Sequence, residues 1–215
     1  MKNEKAEEEV KEELDPSILF LNSPFGDKEM DPVSKLRTLS LYGEVSEEIV
    51  PEIIYSMLYL SETGKPRPVE DDEEPEEHEP FKLIVSTYGG SAAEMFSMYD
   101  VMRLIRDDCE IHTIGLGKVM SAGVLLLAAG TKGKRKIGKN CRVMLHSVVG
   151  SSHGSIDNLE NEMDEIKWLQ EQHVSCLIDE TKMTKRYIKK LLNKKVNVYL
   201  TAEEAVEMGI ADIII

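Results

Sequence analysis

The sequence predicts an α/β layer fold, and three observations point that way. Beyond residue 80, short apolar runs alternate with segments of helical periodicity, the pattern of strands crossed by helices. All 8 prolines lie in residues 1–80, so the last 135 residues run without a proline break. Hydrophobic residues make up 41% of the 215, enough for one mid-sized core.

The net charge of -14 is unevenly placed: residues 1–80 hold 23 of the 40 Asp/Glu but only 8 of the 26 Lys/Arg. Residues 81–215 are close to neutral. An acidic chain lacks the basic face that phosphate contacts require, so nucleic acid is not an expected partner. No apolar run approaches the ~18 residues of a membrane span, so no membrane role is expected. The start, MKNEKAEEEV, is acidic and has no apolar core, unlike a secretory signal. The expectation is a soluble cytoplasmic protein, and an organelle-encoded or viral gene would fit the same features. Cys109, Cys141 and Cys176 form no C-x-x-C pair and read as packed free thiols.

Taken in order, residues 1–34 form an acidic N-terminal arm, disordered over 1–15 and irregular over 17–34, where Asn-Ser-Pro, Gly-Asp and Asp-Pro mark loops. Residues 35–215 form the folded domain. It opens with a strand over Leu36–Tyr42. Ser46 then caps a helix through Leu60, with Ile49, Ile53, Met57 and Leu60 on one stripe and Pro51 removing a hydrogen bond. Residues 64–80 are an acidic low-complexity insert with four prolines and eight carboxylates, read as a solvated loop. Metal binding by His78 among those carboxylates is the minor alternative.

Lys82–Ser86 is a strand, Ala92–Arg106 a helix, Ile111–Leu116 a strand, Ser121–Ala129 an apolar helix and Arg142–His146 a strand. Apolar residues at Ile156, Leu159, Met163, Ile166, Leu169 and Leu177 predict a long amphipathic helix over 156–180. His173 and Cys176 accompany this stripe and read as part of a packed face rather than as ligands. Thr201 caps Ala202–Met208, Gly209 ends it, and Ile210–Ile215 closes the chain as a strand.

Three stretches could carry chemistry. Ser86-Thr-Tyr-Gly-Gly-Ser91 follows a strand; its glycines either let backbone amides approach a ligand or simply make a turn. Ser121 opens a buried helix after a strand and turn. There it is either a plain N-cap or a nucleophile whose attacked carbonyl is stabilised by helix-start amides. The G-x-S-x-G elbow is absent. His146 ends a strand and is either structural or a general base to the serine.

Together these stretches resemble the Clp protease proteolytic subunit, ClpP, a serine peptidase of crotonase-like fold. The matching segments are Tyr88-Gly-Gly90, Met98-Tyr-Asp100, Met120-Ser-Ala-Gly123 leading to Leu127–Arg135, Arg142-Val-Met-Leu-His146 and Leu200–Asp212. The resemblance implies Ser121 as nucleophile, His146 as general base and the amides of Gly90 and Ala122 as oxyanion hole. It also implies a protruding handle helix at 156–180 and heptameric rings stacked into a tetradecamer. No metal or cofactor is implied; ATP would be used only by a partner AAA+ unfoldase of the Clp type.

This chain departs from the pattern at three places. The position of the triad aspartate holds Asn197, with Asp179 and Asp212 as alternative carboxylates. An unrelated acidic arm replaces the axial-pore segment. The aromatic positions of the chaperone-docking pocket correspond to Lys82 and Ile84, so the resemblance does not carry that pocket over. Two functions follow: a serine endopeptidase cleaving peptides or unfolded polypeptide through an acyl-enzyme, or a weakly active or inactive ring subunit beside an active paralogue. A crotonase-fold acyl-CoA enzyme ranks last, because it would leave the Ser121/His146 pair unexplained.

Overall fold

Two long parallel strands, β2 (Phe81–Gly90) and β3 (Ile111–Met120), are the centre of the sheet. They belong to a computed structural model that describes residues 36–66, 77–194 and 196–215. The expected arm at 1–34 and the middle of the acidic insert lie outside the described residues. Arg37–Ile215 clusters as one compact unit.

β1 (Thr38–Val45) pairs parallel with β2. α1 (Val50–Thr63) follows. Its start differs from the expectation: Ile49 is the N-cap and Ser46 instead accepts two backbone N–H groups through its carbonyl. Pro51 falls in the first turn, where helix N–H groups have no partner to lose, so it does not cost the expected hydrogen bond. α2 (Ala92–Ile105) is capped by the Ser91 hydroxyl, and α3 (Ala122–Ala128) is buried along its whole length. The inward side chains of β2, Phe81, Leu83 and Val85, share the core with Met95, Met98 and Met102 of α2. Full burial of a side chain of this kind contributes about 2 kcal/mol.

Glycines 89, 90 and 117 were expected to end their strands, yet β2 and β3 run through them. The ladder explains why. β3 pairs with β4 (Lys136–Ile137) at Ile114 and Gly115, and then with β5 (Arg142–Leu145) at Lys118–Met120. Pairing to a second partner keeps the chain extended where glycine alone would let it turn. Gly117, at φ +64°, sits at this fork.

α4 (Ile156–Glu180) matches the expected bounds. None of its residues from 156 to 172 is buried, so its first half stands clear of the core, as the handle reading expects. α5 (Lys185–Leu192) and β6 (Val198–Leu200) were not anticipated; β6 pairs antiparallel with β5. α6 (Ala202–Glu207) has a full capping box from Thr201 and Glu204, and β7 (Ile213–Ile214) closes the sheet edge beside β4.

Two buried polar clusters pin the far side. Glu180 accepts from Tyr99 Oη at 2.9 Å and from Arg106 at 2.8 Å. Burial pushes its pKa up, but these partners outweigh that and hold it below the usual carboxylate value. Asp212 ion-pairs with the buried Arg135 at 2.5 Å and accepts the Gly133 N–H. The three cysteines are free. His78 Nε2 meets the Ser61 carbonyl at 2.7 Å, and no His/Cys/Asp/Glu cluster suited to a metal occurs among the described residues. No described helix is long and apolar enough to cross a membrane.

Candidate active site

The fork in the sheet builds the site. Met120 pairs with Met144 in the parallel β3–β5 ladder, and the Ser121 N–H donates to the Met144 carbonyl at 2.8 Å. Ser121 therefore leaves β3 beside the end of β5, where His146 emerges. His146 Nε2 lies 2.8 Å from Ser121 Oγ, the distance of a nucleophile hydrogen-bonded to its base.

This geometry separates the two readings of Ser121. A plain N-cap serine has an extended backbone and its hydroxyl accepts a helix N–H. Ser121 does neither: φ is 53° and ψ is -120°, and its side chain makes no cap hydrogen bond. It is the one non-glycine residue at positive φ among the described residues. Such backbone strain costs about 1–3 kcal/mol. It aims the hydroxyl at the imidazole, as a strained strand-to-helix elbow does in other hydrolases, although the sequence lacks that motif.

The glycines at the end of β2 are required sterically. A Cβ on Gly89, which has φ +103°, would lie 2.5 Å from the Ser121 Cβ, and one on Gly90 would lie 2.2 Å from the Val45 carbonyl oxygen. Gly90, Ser121, Ala122 and His146 line one cavity of about 310 Å³, which also takes in Met95 and His173. Ala122 is the first residue of α3, a position whose N–H has no intrahelical acceptor. The loop after β5 is tied back by Ser147 Oγ to the Leu192 carbonyl of α5 and by the Val148 N–H to Gln170 Oε1 of α4.

The third position differs from the expectation. The β5–β6 register pairs Leu145 with Val198, so one step further sets Asn197 across from His146. Its side chain is nevertheless exposed, and no hydrogen bond among the described residues links it to the imidazole. The alternative carboxylates do not reach His146 either. Asp212 is engaged by Arg135, and Asp179 contributes only its backbone carbonyl, to Lys132.

His173 was expected to be a packed face residue. It is buried, but it lines the cavity holding Ser121 and His146. The signal was in its position, four residues before Leu177 on the inner stripe, but only the fold shows that α4 packs against α3, the helix that Ser121 opens. Burial, with a smaller push from His146, lowers its pKa from 6.5 to about 4. As pH falls, the unfolded chain then binds this proton before the folded chain does. Stability from this group is complete above pH 6.5, is lost as pH falls towards 4 and levels off below that. The full change is about 3 kcal/mol. Between pH 7 and 4, the urea midpoint of the wild type should therefore fall further than that of His173→Leu. Equal falls would refute a neutral buried ring.

With this geometry in view, the chain's likeness to known proteins is specific. The family model described as Clp protease matches residues 24–215. An ATP-dependent Clp protease proteolytic subunit 1 from Corynebacterium glutamicum is 30% identical over 194 residues, covering 88% of this chain and 86% of that protein. The protein of the same name from Thermobifida fusca is 30% identical, with 87% and 79% covered. A proteolytic subunit 2 from Parasynechococcus marenigrum is 29% identical over 92% of this chain and 94% of its own. A matched region that spans the whole described fold, and a mixed α/β sheet that brings serine, histidine and glycine segments together, lead to one conclusion: this chain belongs to the Clp protease family of serine proteases and has its ClpP-like α/β fold.

Proposed function

We propose that the chain is a working serine endopeptidase subunit that cleaves peptides or unfolded polypeptide through an acyl-enzyme. The observation that carries this reading is the 2.8 Å contact between His146 Nε2 and the oxygen of a strained Ser121. Ser121 Oγ attacks the scissile carbonyl as its proton passes to His146 Nε2. The Gly90 and Ala122 amides stabilise the oxyanion. The C–N bond breaks and the departing amine takes the proton from His146. Water then attacks the acyl ester, giving its proton to His146, which returns it to Ser121 Oγ as the acid leaves. No metal or cofactor takes part.

Asn197 has the place to hold the imidazole, but in this conformation it does not touch it. Asn197→Ala should therefore change the acylation rate less than about threefold. Asn197→Asp, which sets a negative charge opposite the imidazolium, should raise it about tenfold or more. Both rates are read by stopped-assay labelling with a fluorophosphonate. A large loss in the alanine variant would mean that the amide already orients His146.

The same probe tests the function, by intact mass with Ser121→Ala as control. One adduct per chain, abolished by the substitution, supports the peptidase. No adduct on a chain that still assembles favours the second reading, a ring subunit acting beside an active paralogue, for which the unengaged Asn197 speaks.

Assembly into heptameric rings, paired as a tetradecamer, belongs to the same proposal. The exposed Ile156, Leu159 and Met163 on the free half of α4 support burial against a second copy. The name that these relatives carry, ATP-dependent Clp protease, suggests an ATP-consuming AAA+ unfoldase as partner. Lys82 is exposed and Ile84 half-buried on β2, which does not favour aromatic docking there. A cytoplasmic location completes the proposal.

A further inference from the structure

Two side-chain polar atoms in the described part of this protein are buried without a hydrogen-bond partner, one on a residue lining the active-site cavity and the other one turn away on the same helix. They are His173 Nε2 and Gln170 Nε2. They sit three residues apart on α4, so they share a helix face. Gln170 also holds, through Oε1, the N–H of Val148, itself a lining residue of the cavity. His173 lines the cavity directly and is 5% exposed. Native interiors rarely leave such groups orphaned, because each forfeits its hydration without compensation. An orphaned nitrogen on a cavity-lining residue, with a second orphan one turn behind it, therefore suggests that the missing partner arrives with a ligand.

Position identifies which part of a ligand that would be. The cavity also contains Ser121 and the Gly90 and Ala122 segments. The substrate residue whose carbonyl is attacked must lie over Ser121, and its side chain is the group that falls into this space. Resting on the peptidase reading, we infer that His173, with Gln170 behind it, is a specificity-determining residue that selects a neutral hydrogen-bonding side chain, a carboxamide or hydroxyl, at the residue preceding the cleaved bond.

The rest of the lining sets the limits of that choice. Met95, Ala92 and Val148 supply apolar walls, which suit the stem of a glutamine or the methyl of a threonine. The ring stays uncharged near neutral pH, for the burial reason given above, so its free Nε2 offers a donor or an acceptor, by tautomer, and no charge. Neither a carboxylate nor an ammonium would find an ionic partner in it. An aliphatic side chain of the same size would fill the space but leave the orphans unpaired, which is how a site built to hydrogen-bond rejects an apolar analogue.

The test uses a fluorogenic acyl-tripeptide series differing only in the residue before the cleaved bond: Gln, Thr, Leu and Glu. Wild type should show kcat/KM for Gln about tenfold or more above Leu, with Glu poorest. His173→Leu should reverse the order of Gln and Leu, and His173→Gln, which keeps a donor and an acceptor, should restore it. Leu leading in the wild type, or an order unchanged in His173→Leu, overturns the inference. Fluorophosphonate labelling of Ser121 in each variant reports whether the site is intact. Should the wild type not label, the peptidase reading fails separately. Calorimetric binding of acetyl-tripeptides ending in Gln or Leu to Ser121→Ala then decides the inference without turnover. Tighter binding of Gln sustains it, and equal, weaker or undetectable binding overturns it.

Discussion

His146→Ala should lower the rate of peptide hydrolysis by about 10⁶-fold, no less than Ser121→Ala, and the double variant should be no slower than either single one. The reason is the single hydrogen bond between them. The imidazole 2.8 Å from Ser121 Oγ is the only acceptor that the hydroxyl has among the described residues. Without it the serine keeps its proton and is a poor nucleophile; without the serine the imidazole has nothing to deprotonate. Two groups that act on one proton fail together, so their losses do not add. The residual rate, from the proposed oxyanion amides of Gly90 and Ala122 and from substrate binding, should be common to all three variants. Single-turnover kinetics on a short peptide measures this. A double variant clearly slower than both single ones would mean that serine and histidine act independently, and the proposed pairing would be wrong.

Asp212→Ala should destabilise the fold by about 3 kcal/mol while leaving Ser121 labelling by a fluorophosphonate intact. Arg135 is 3% exposed and donates to both carboxylate oxygens of Asp212, and Asp212 also receives the Gly133 N–H. Burial pushes the Asp212 carboxyl up, yet Arg135 and these N–H groups hold it below its ordinary value. Removing the carboxylate strands a guanidinium in the interior, although the Ala128 and Glu180 carbonyls still accept from it. Those two acceptors are why the loss should fall at the lower end of the range for a broken buried pair. Melting should drop by about 10 °C for a domain of this size. Asp212→Asn, which keeps the shape but not the charge, should fall between. An unchanged melting temperature would show that the pair contributes nothing net. Lost labelling would put Asp212 back among the residues that serve His146.

What could be read from the sequence depended on how local the signal was. The α4 helix was legible to its ends because 25 residues of regular apolar spacing leave no competing pattern. Thr201, with Glu204 three residues on, announced α6 in the same way. The α5 segment was missed although Ile188, Leu191 and Leu192 have helical spacing and Thr184 is a capping residue, because four basic side chains mask the stripe. β6 has three residues and exists through its pairing with β5, which no local pattern reports. In the site, Ser121 and His146 were found as motifs, but their contact arises from the forked ladder, and the Ser121 backbone angle has no signature in composition. His173 shows the limit most clearly. Its spacing gave its burial, and only the packing of α4 against α3 gave it a cavity to face.

The left-handed backbone of Ser121 also has a meaning for how this chain has been shaped over time. At φ 53° a glycine would sit without strain, and Ser121→Gly would relieve rather than tax the fold. Chains drift towards whatever keeps them folded once chemistry no longer matters, since most changes at a used site sacrifice stability for function. A subunit kept only as a building block would have an easy exit at this position, one substitution that removes the strain. The chain has not taken it. The strained serine is thus a kind of selective receipt, and it weighs towards a subunit whose hydroxyl is in use.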